Sequence, residues 1–219
     1  MKIAVVGAAG MVGSCVVDEA AGRGHEIVAV FRTGPRIALP PMVTVVEGDA
    51  NDRVRMSELF DGADAIVAAT RAAAGQEHTV TTTTTALLDA AAATGTRILV
   101  VGGAAPLRVP GHPEQLVLDS PEYVPASIRT IAAASVAQWE TCRAHPADSV
   151  YLSPPALLEP GQRTGKYRRG TTTLITSADG TSRISAEDLA VAVLDELENP
   201  CGNGHFTVGY GDVETLGTA

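Results

Sequence analysis

The stretch Gly7-Ala8-Ala9-Gly10-Met11-Val12-Gly13 constrains this chain more than any other, because of what stands on either side of it. It follows a short apolar run over 2–7 (KIAVVG) and leads into a helical pattern over 11–21 that stops at Gly22 and Gly24. Between a strand and a helix each glycine has a mechanical task. Gly7 permits a tight turn, Gly10 leaves room for a pyrophosphate against the backbone, and Gly13 lets the helix sit close on the sheet. The helix N-terminus then presents unpaired N–H groups and the positive end of its dipole to an anion. A glycine triplet alone is weak, and this one gains weight from its strand–helix context. It predicts a dinucleotide cradle made by Gly7, Ala9, Gly10, Met11, Val12 and Gly13.

The rest of the chain repeats the same unit. Apolar runs recur over 25–32, 43–49, 64–70, 97–103 and 149–155, with helical patterns at 53–61, 78–94 and 126–144 between them. The first five runs, counted from 2–7, lack an in–out alternation, as strands covered on both faces do. Strands alternating with helices imply right-handed crossovers and a parallel sheet. The five threonines Thr81–Thr85 are poor helix formers because each is β-branched. Their place between two strands still predicts a helix. A last helix opens at Ser185 with Asp188 three residues on, a capping-box spacing, and stops at Pro200; a strand over 205–210 follows. Residues 156–183 show no periodicity. The expected fold is a Rossmann-like, doubly wound α/β sheet in one domain spanning 1–219, its part after about residue 151 forming a small substrate lobe.

Bulk properties limit the partners. A net charge of −9 over 219 residues argues against nucleic acid, which is bound through clustered cations. No apolar run nears the roughly 20 residues of a membrane span. No signal peptide is evident, and Cys15, Cys142 and Cys201 have no metal-ligand spacing. The chain reads as cytoplasmic, without a metal, acting on a small molecule as a monomer or homodimer.

The end of the second strand bears on the cofactor. Where an NAD-binding chain usually carries Asp or Glu for the ribose, this one has Arg32, followed by Thr33 and Arg36. A carboxylate would repel a 2′-phosphate, whereas a guanidinium can grip it with two hydrogen bonds. NADP is therefore expected over NAD.

These pieces, with EGDAND (47–52), RILVVGGAAPL (97–107), YLSPPALLEPGQRTGKYR (151–168) and SRISAEDLAVAVLDELE (182–198), resemble the atypical short-chain dehydrogenase/reductase superfamily. The nearest likeness is to its NAD(P)H-binding group, the NmrA-like and NADH-flavin-reductase-like relatives of biliverdin-IXβ reductase. The resemblance implies that Asp49 and Ala50 contact adenine, and that Ala69 and Thr70 lie along the ribose and pyrophosphate. It also implies that Gly102 and Gly103 approach the nicotinamide and that the backbone of Ser153-Pro154-Pro155 passes it.

The chain departs from the usual catalytic pattern. Short-chain dehydrogenases protonate a carbonyl with a Tyr assisted by a Lys four residues later. Tyr123 stands near the right place, but Ser127 occupies the lysine position. Tyr151, Tyr167 and Tyr210 are followed at that spacing by Pro155, Thr171 and Glu214, and Pro106 puts the partner serine in doubt. His112, in a loop, and Lys166, in a run of four cations from Arg163 to Arg169, are the other candidate proton donors. His78 reads as solvated and Trp139 as core. The leading expectation is an NADPH-dependent reductase of a flavin, quinone or other conjugated acceptor. An isomerase or cyclase that keeps NADP structurally and an NmrA-like redox sensor are the competing readings.

Overall fold

The computed structural model describes residues 1–34, 40 and 42–211. An eight-stranded sheet runs through the molecule. Its first half contains β1 (Lys2–Val6), β2 (Glu26–Phe31), β3 (Val43–Glu47), β4 (Ala65–Ala68) and β5 (Ile98–Val101). Outside the sheet lie a small hairpin, β6 (Arg108–Val109) with β7 (His112–Leu116), and a parallel pair, β9 (Leu157–Glu159) with β11 (Arg183–Ser185). The sheet is completed by β8 (Ser149–Ser153), β10 (Arg168–Gly170) and β12 (His205–Gly209). Its spatial order is β10-β12-β8-β5-β4-β1-β2-β3, and the strand order reverses between β1 and β4, which flank each other. All pairings in it are parallel except β10 with β12. The architecture is Rossmann-like.

Helices cover both faces. α1 (Met11–Gly22) and α5 (Ala186–Glu198) pack on one face, over Ile3, Val5, Leu99, Leu152 and Phe206. The other face is covered by α2 (Arg53–Phe60), α3 (Val80–Thr94) and α4 (Arg129–Ala144), over Ala4, Ile66, Ile98 and Tyr151. A third, smaller core of Ala105, Leu107, Val117, Val124, Ala132 and Leu174 lies beyond the end of β5.

Several boundaries differ from the sequence expectation, for physical reasons. The run 43–49 was expected to be covered on both faces. Among the described residues it forms an edge strand instead: β3 pairs there only with β2, and Thr44, Val45 and Glu47 are exposed. β4 and β5 end before the apolar runs do: Ala69 and Gly102 still donate to the Val6 and Leu152 carbonyls, and residues 69–70 and 102–103 line a groove. The long helix begins at Arg129 behind a single 3-10 turn, Ala126–Ile128. His78 falls in a 3-10 turn, Glu77–Thr79, ahead of α3. The threonine run does form helix: Thr84 is buried, Thr85 bonds its hydroxyl back to Thr81, and Thr83 donates to Asn51. Two short strands, β9 and β10, lie in 156–183 and a third, β11, starts at its end, each too brief to leave a period.

The capping box at Ser185 is half formed. The Ser185 hydroxyl accepts from the Asp188 N–H at 3.0 Å, as expected. The Asp188 carboxylate, however, turns away from the cap. It accepts from the Thr164 and Gly165 N–H groups at 2.8 and 2.7 Å, and from the hydroxyls of Thr164 and Tyr210. This fully buried carboxylate thereby ties the loop before β10 and the chain after β12 to α5. Burial alone would raise its pKa, but the hydrogen bonds from Thr164, Tyr210 and Gly165 outweigh it and hold the group below the ordinary carboxylate range.

Asp188→Ala should strand those donors and destabilise the fold by about 2–4 kcal/mol, which denaturant titration will measure. Because the folded pKa is depressed, the stabilisation is complete above the unfolded pKa near 4 and is lost as pH falls through the folded value. The gap between wild type and variant should therefore narrow below about pH 4.

Candidate active site

The site is built where β1, β4, β5 and β8 end. Gly7 turns out of β1 with φ +87°, and a Cβ there would lie 2.4 Å from the Ala69 carbonyl oxygen. A Cβ on Gly13 would stand 2.1 Å from the Gly7 carbonyl oxygen, so α1 sits directly on the turn. The Gly10 N–H closes the turn onto Gly7 at 2.9 Å. As N-cap of α1, Gly10 has no side chain to satisfy the free N–H groups that follow, and the first helical turn holds no acidic residue. A Cβ on Gly10 would meet nothing closer than 3.3 Å. An open, uncapped and uncharged helix start fits the pyrophosphate of a dinucleotide.

Two adjoining clefts meet at this turn. The first, about 770 Å³, is lined by Gly7, Ala9, Gly10, Arg32, Thr33, Asp49, Ala50, Ala69 and Thr70, among others. Arg32 is exposed beyond β2, and no hydrogen bond or ion pair engages its guanidinium among the described residues. Arg36 lies outside the described residues. Asp49 forms a turn after β3, accepting from the backbone and side chain of Asn51 at 2.9 and 3.0 Å. The second cleft, about 490 Å³, holds Met11, Val12, Gly102, Gly103, Tyr123 and Pro154 in its lining. The two share Gly10, Ala69, Thr70, Arg71, Ala72, Val80 and Gln138. The structure thus brings every expected cofactor residue to one groove except Gly13, which is buried and serves the packing of α1.

The proton-donor candidates separate. Tyr123 lines the second cleft, and its hydroxyl has no hydrogen-bond partner among the described residues. Burial, then the Glu122 charge, raises its pKa, the opposite of what a neighbouring lysine would do. His112 and Lys166 are exposed and absent from the lining of both clefts. The cation run near Lys166 is largely spent on structure. Arg163 forms a bidentate pair with Glu19 at 2.6 and 2.9 Å, and Arg169 reaches the buried Glu196 at 2.7 Å and lies over the Phe206 ring.

Beneath Gly102 and along the second cleft lie residues that sequence reasoning missed. Tyr151 is fully buried, and its hydroxyl donates to the Ser135 carbonyl at 2.9 Å with the Gln138 Oε1 at 3.3 Å. Burial pushes its pKa far above the ordinary tyrosine value, so it is a fixed donor. The phenol fills the space where Gly102 would carry a side chain: a Cβ there would stand 1.9 Å from the Tyr151 hydroxyl oxygen. Gln138 lines both clefts and is held from its other end by Thr84. The walls come mainly from residues 101–138. The segment expected to form a substrate lobe supplies only Pro154, Pro155, Ala156 and Leu158. A period-2 reading of β8 would have placed Tyr151 on the α4 face, but not beneath Gly102.

The NAD(P)H-binding family profile matches residues 7–200, from the first turn to the end of α5. The chain belongs to the NAD(P)H-binding family. An uncharacterized member-like relative, YwnB of Bacillus subtilis, is 36% identical over 211 residues, covering 95% of this chain and 98% of that one. Among solved structures, a "putative epimerase" of Bacteroides thetaiotaomicron superposes with TM-score 0.87 at 34% identity, over 96% of this chain and 97% of its own. A "putative NADH-flavin reductase" of Streptococcus pneumoniae superposes with TM-score 0.86 at 27% identity, over 95% and 99%. Family membership gives the chain a nicotinamide cofactor. Among the described residues, no helix is long and apolar enough to cross a membrane.

Gly10→Val places a branched side chain in the open side of the cradle while its backbone (φ −77°, ψ 165°) suits any residue. Dinucleotide affinity by calorimetry should fall at least about tenfold, with the circular-dichroism spectrum unchanged.

Proposed function

We propose that the protein is a cytoplasmic NADPH-dependent oxidoreductase that passes hydride to a flavin, quinone or other conjugated acceptor without a Tyr–Lys pair. One observation carries this reading: the cleft beside Gly102 and Gly103 is walled by Val101, Val117, Val124, Ile128, Ile131, Pro155 and Leu158, and its lining contains no Lys or His. A cleft of that kind can hold and dry a flat ring but offers no relay for protonating an isolated carbonyl. A conjugated acceptor spreads the added charge and takes its proton from water. The bound cofactor supplies the hydride, and the protein supplies binding, orientation and exclusion of solvent.

The roles follow position. The N–H groups at the start of α1 hold the pyrophosphate, Asp49 and Ala50 border the adenine, and Ala69 and Thr70 follow the ribose. Gly102, Gly103 and Pro154 give the nicotinamide a surface without protruding side chains. The unpaired Arg32 guanidinium grips the 2′-phosphate, which favours NADPH. Free thiols at Cys15, Cys142 and Cys201 suit a reducing compartment.

The reading is tested by following nicotinamide absorbance with a panel of flavins and quinones; no acceptor-dependent loss of NADPH would overturn it. A charge-assisted hydrogen bond is worth roughly 1.5–3 kcal/mol, so Arg32→Ala should weaken NADPH about 10- to 150-fold and leave NADH nearly unchanged. Tyr123→Phe at saturating NADPH should lower kcat by less than about tenfold, whereas loss of a true general acid costs on the order of 10²–10⁴-fold.

A further inference from the structure

The second cleft has a directional chemistry. Its one cation among the described residues, Arg71, stands at the seam shared with the dinucleotide cleft, and Glu77 lines the second cleft alone. Away from that seam, the walls on the α4 side are Ile128, Ile131 and Ala132, and those opposite are Pro154, Pro155 and Leu158. Among the described residues, no Lys, Arg or His other than Arg71 lines this cleft. An anion entering it would give up its hydration without a partner, which is costly. Tyr123 lines that space, and its hydroxyl has no hydrogen-bond partner among the described residues. Burial and the adjacent Glu122 keep this phenol protonated at neutral pH, so it has a hydrogen to donate. A donor with nothing to donate to, set in an apolar wall, matches a ligand bearing a neutral acceptor oxygen.

We infer that the acceptor is an uncharged quinone-type ring whose carbonyl oxygen accepts a hydrogen bond from Tyr123, and that the cleft selects it over phosphorylated flavins. This rests on the reductase reading and narrows it. The reaction balances as a two-electron transfer. The nicotinamide ring loses hydride and is oxidised; the quinone gains that hydride and one proton from water and is reduced to the hydroquinone. Tyr123 acts by binding the carbonyl and stays protonated throughout. The exposed Ile128 and Ile131, 42% and 40% accessible, form the wall that excludes charge.

The test separates binding from turnover. Calorimetry on the protein saturated with NADP⁺ compares hydroxymethyl-anthraquinone with anthraquinone sulfonate, the same ring without and with a fixed negative charge. The neutral ring should bind at least about tenfold tighter. Tyr123→Phe should weaken the neutral ring about 3- to 10-fold, the worth of one neutral hydrogen bond, and leave NADP⁺ affinity unchanged. Ile131→Lys should close or invert the preference by giving the sulfonate a partner. Ile128→Lys repeats that arm should the first variant fail to fold by circular dichroism. Equal or tighter binding of the sulfonate to the wild type, no binding of either ring, or a neutral-ring affinity indifferent to Tyr123 would overturn the inference. Steady-state rates with riboflavin and FMN add an independent arm. Preference for FMN would overturn the selection while leaving the reductase reading intact. Binding of the neutral ring without any NADPH consumption would sink the reductase reading instead, and with it the assignment of this ligand as an acceptor.

Discussion

Everything at the working edge of this sheet hangs on the contact between Gly13 and the Gly7 carbonyl. With no room for even a methyl group between them, α1 starts on top of β1 and not beside it. That placement aims the free N–H groups of the helix at the crevice where β1 and β4 part. It also lays the rest of α1 against α5, so the same contact organises one whole face of the core. A larger residue at position 13 would lift the helix and spoil its placement over the turn and its packing together. Gly7 faces a similar limit from the other side, where the Ala69 carbonyl closes on it.

The Gly102 end of the groove is supported by a different device. Tyr151 rises from β8 beneath Gly102 and spends its hydroxyl on Ser135 and Gln138 of α4. One phenol therefore fixes how far α4 stands from the end of β5. Behind it, charge is used sparingly and in the interior: Glu196 is clasped by Arg97 and Arg169, and Glu19 by Arg23 and Arg163. Breaking such pairs costs more than forming them gains, so they serve to fix the geometry of the C-terminal segments more than to add stability.

The legible parts of the sequence were those with a local physical signature. Apolar runs such as KIAVVG and RILVVGG announced buried parallel strands, and the glycine spacing announced the turn. The groove residues followed from strand ends, because ligand crevices in such sheets open there. Less could be read where long-range contacts decide. Nothing local in RRG (168–170) marks an antiparallel edge strand; its partner is nearly forty residues further on. Asp188 looked like half of a capping box, since the spacing was right, yet stronger donors from Thr164 and Tyr210 drew its carboxylate away. The role of Tyr151 depends on which residue lies above it, and no periodicity encodes that. His112 and Lys166 had the right chemistry and the wrong address.

The cleft's floor and its walls are held by separate parts of the molecule. Gly102, Gly103 and Tyr151 belong to the sheet and its buried supports, where a single methyl group cannot be added. Ile128 and Ile131 sit at the free start of α4, half in solvent, with nothing packed on their outer sides that must move if they change. Mutational drift can therefore rewrite the rim of this cleft while the floor beneath it stays untouched. A scaffold divided in this way lets one cofactor-binding frame diversify into many specificities through a handful of surface substitutions.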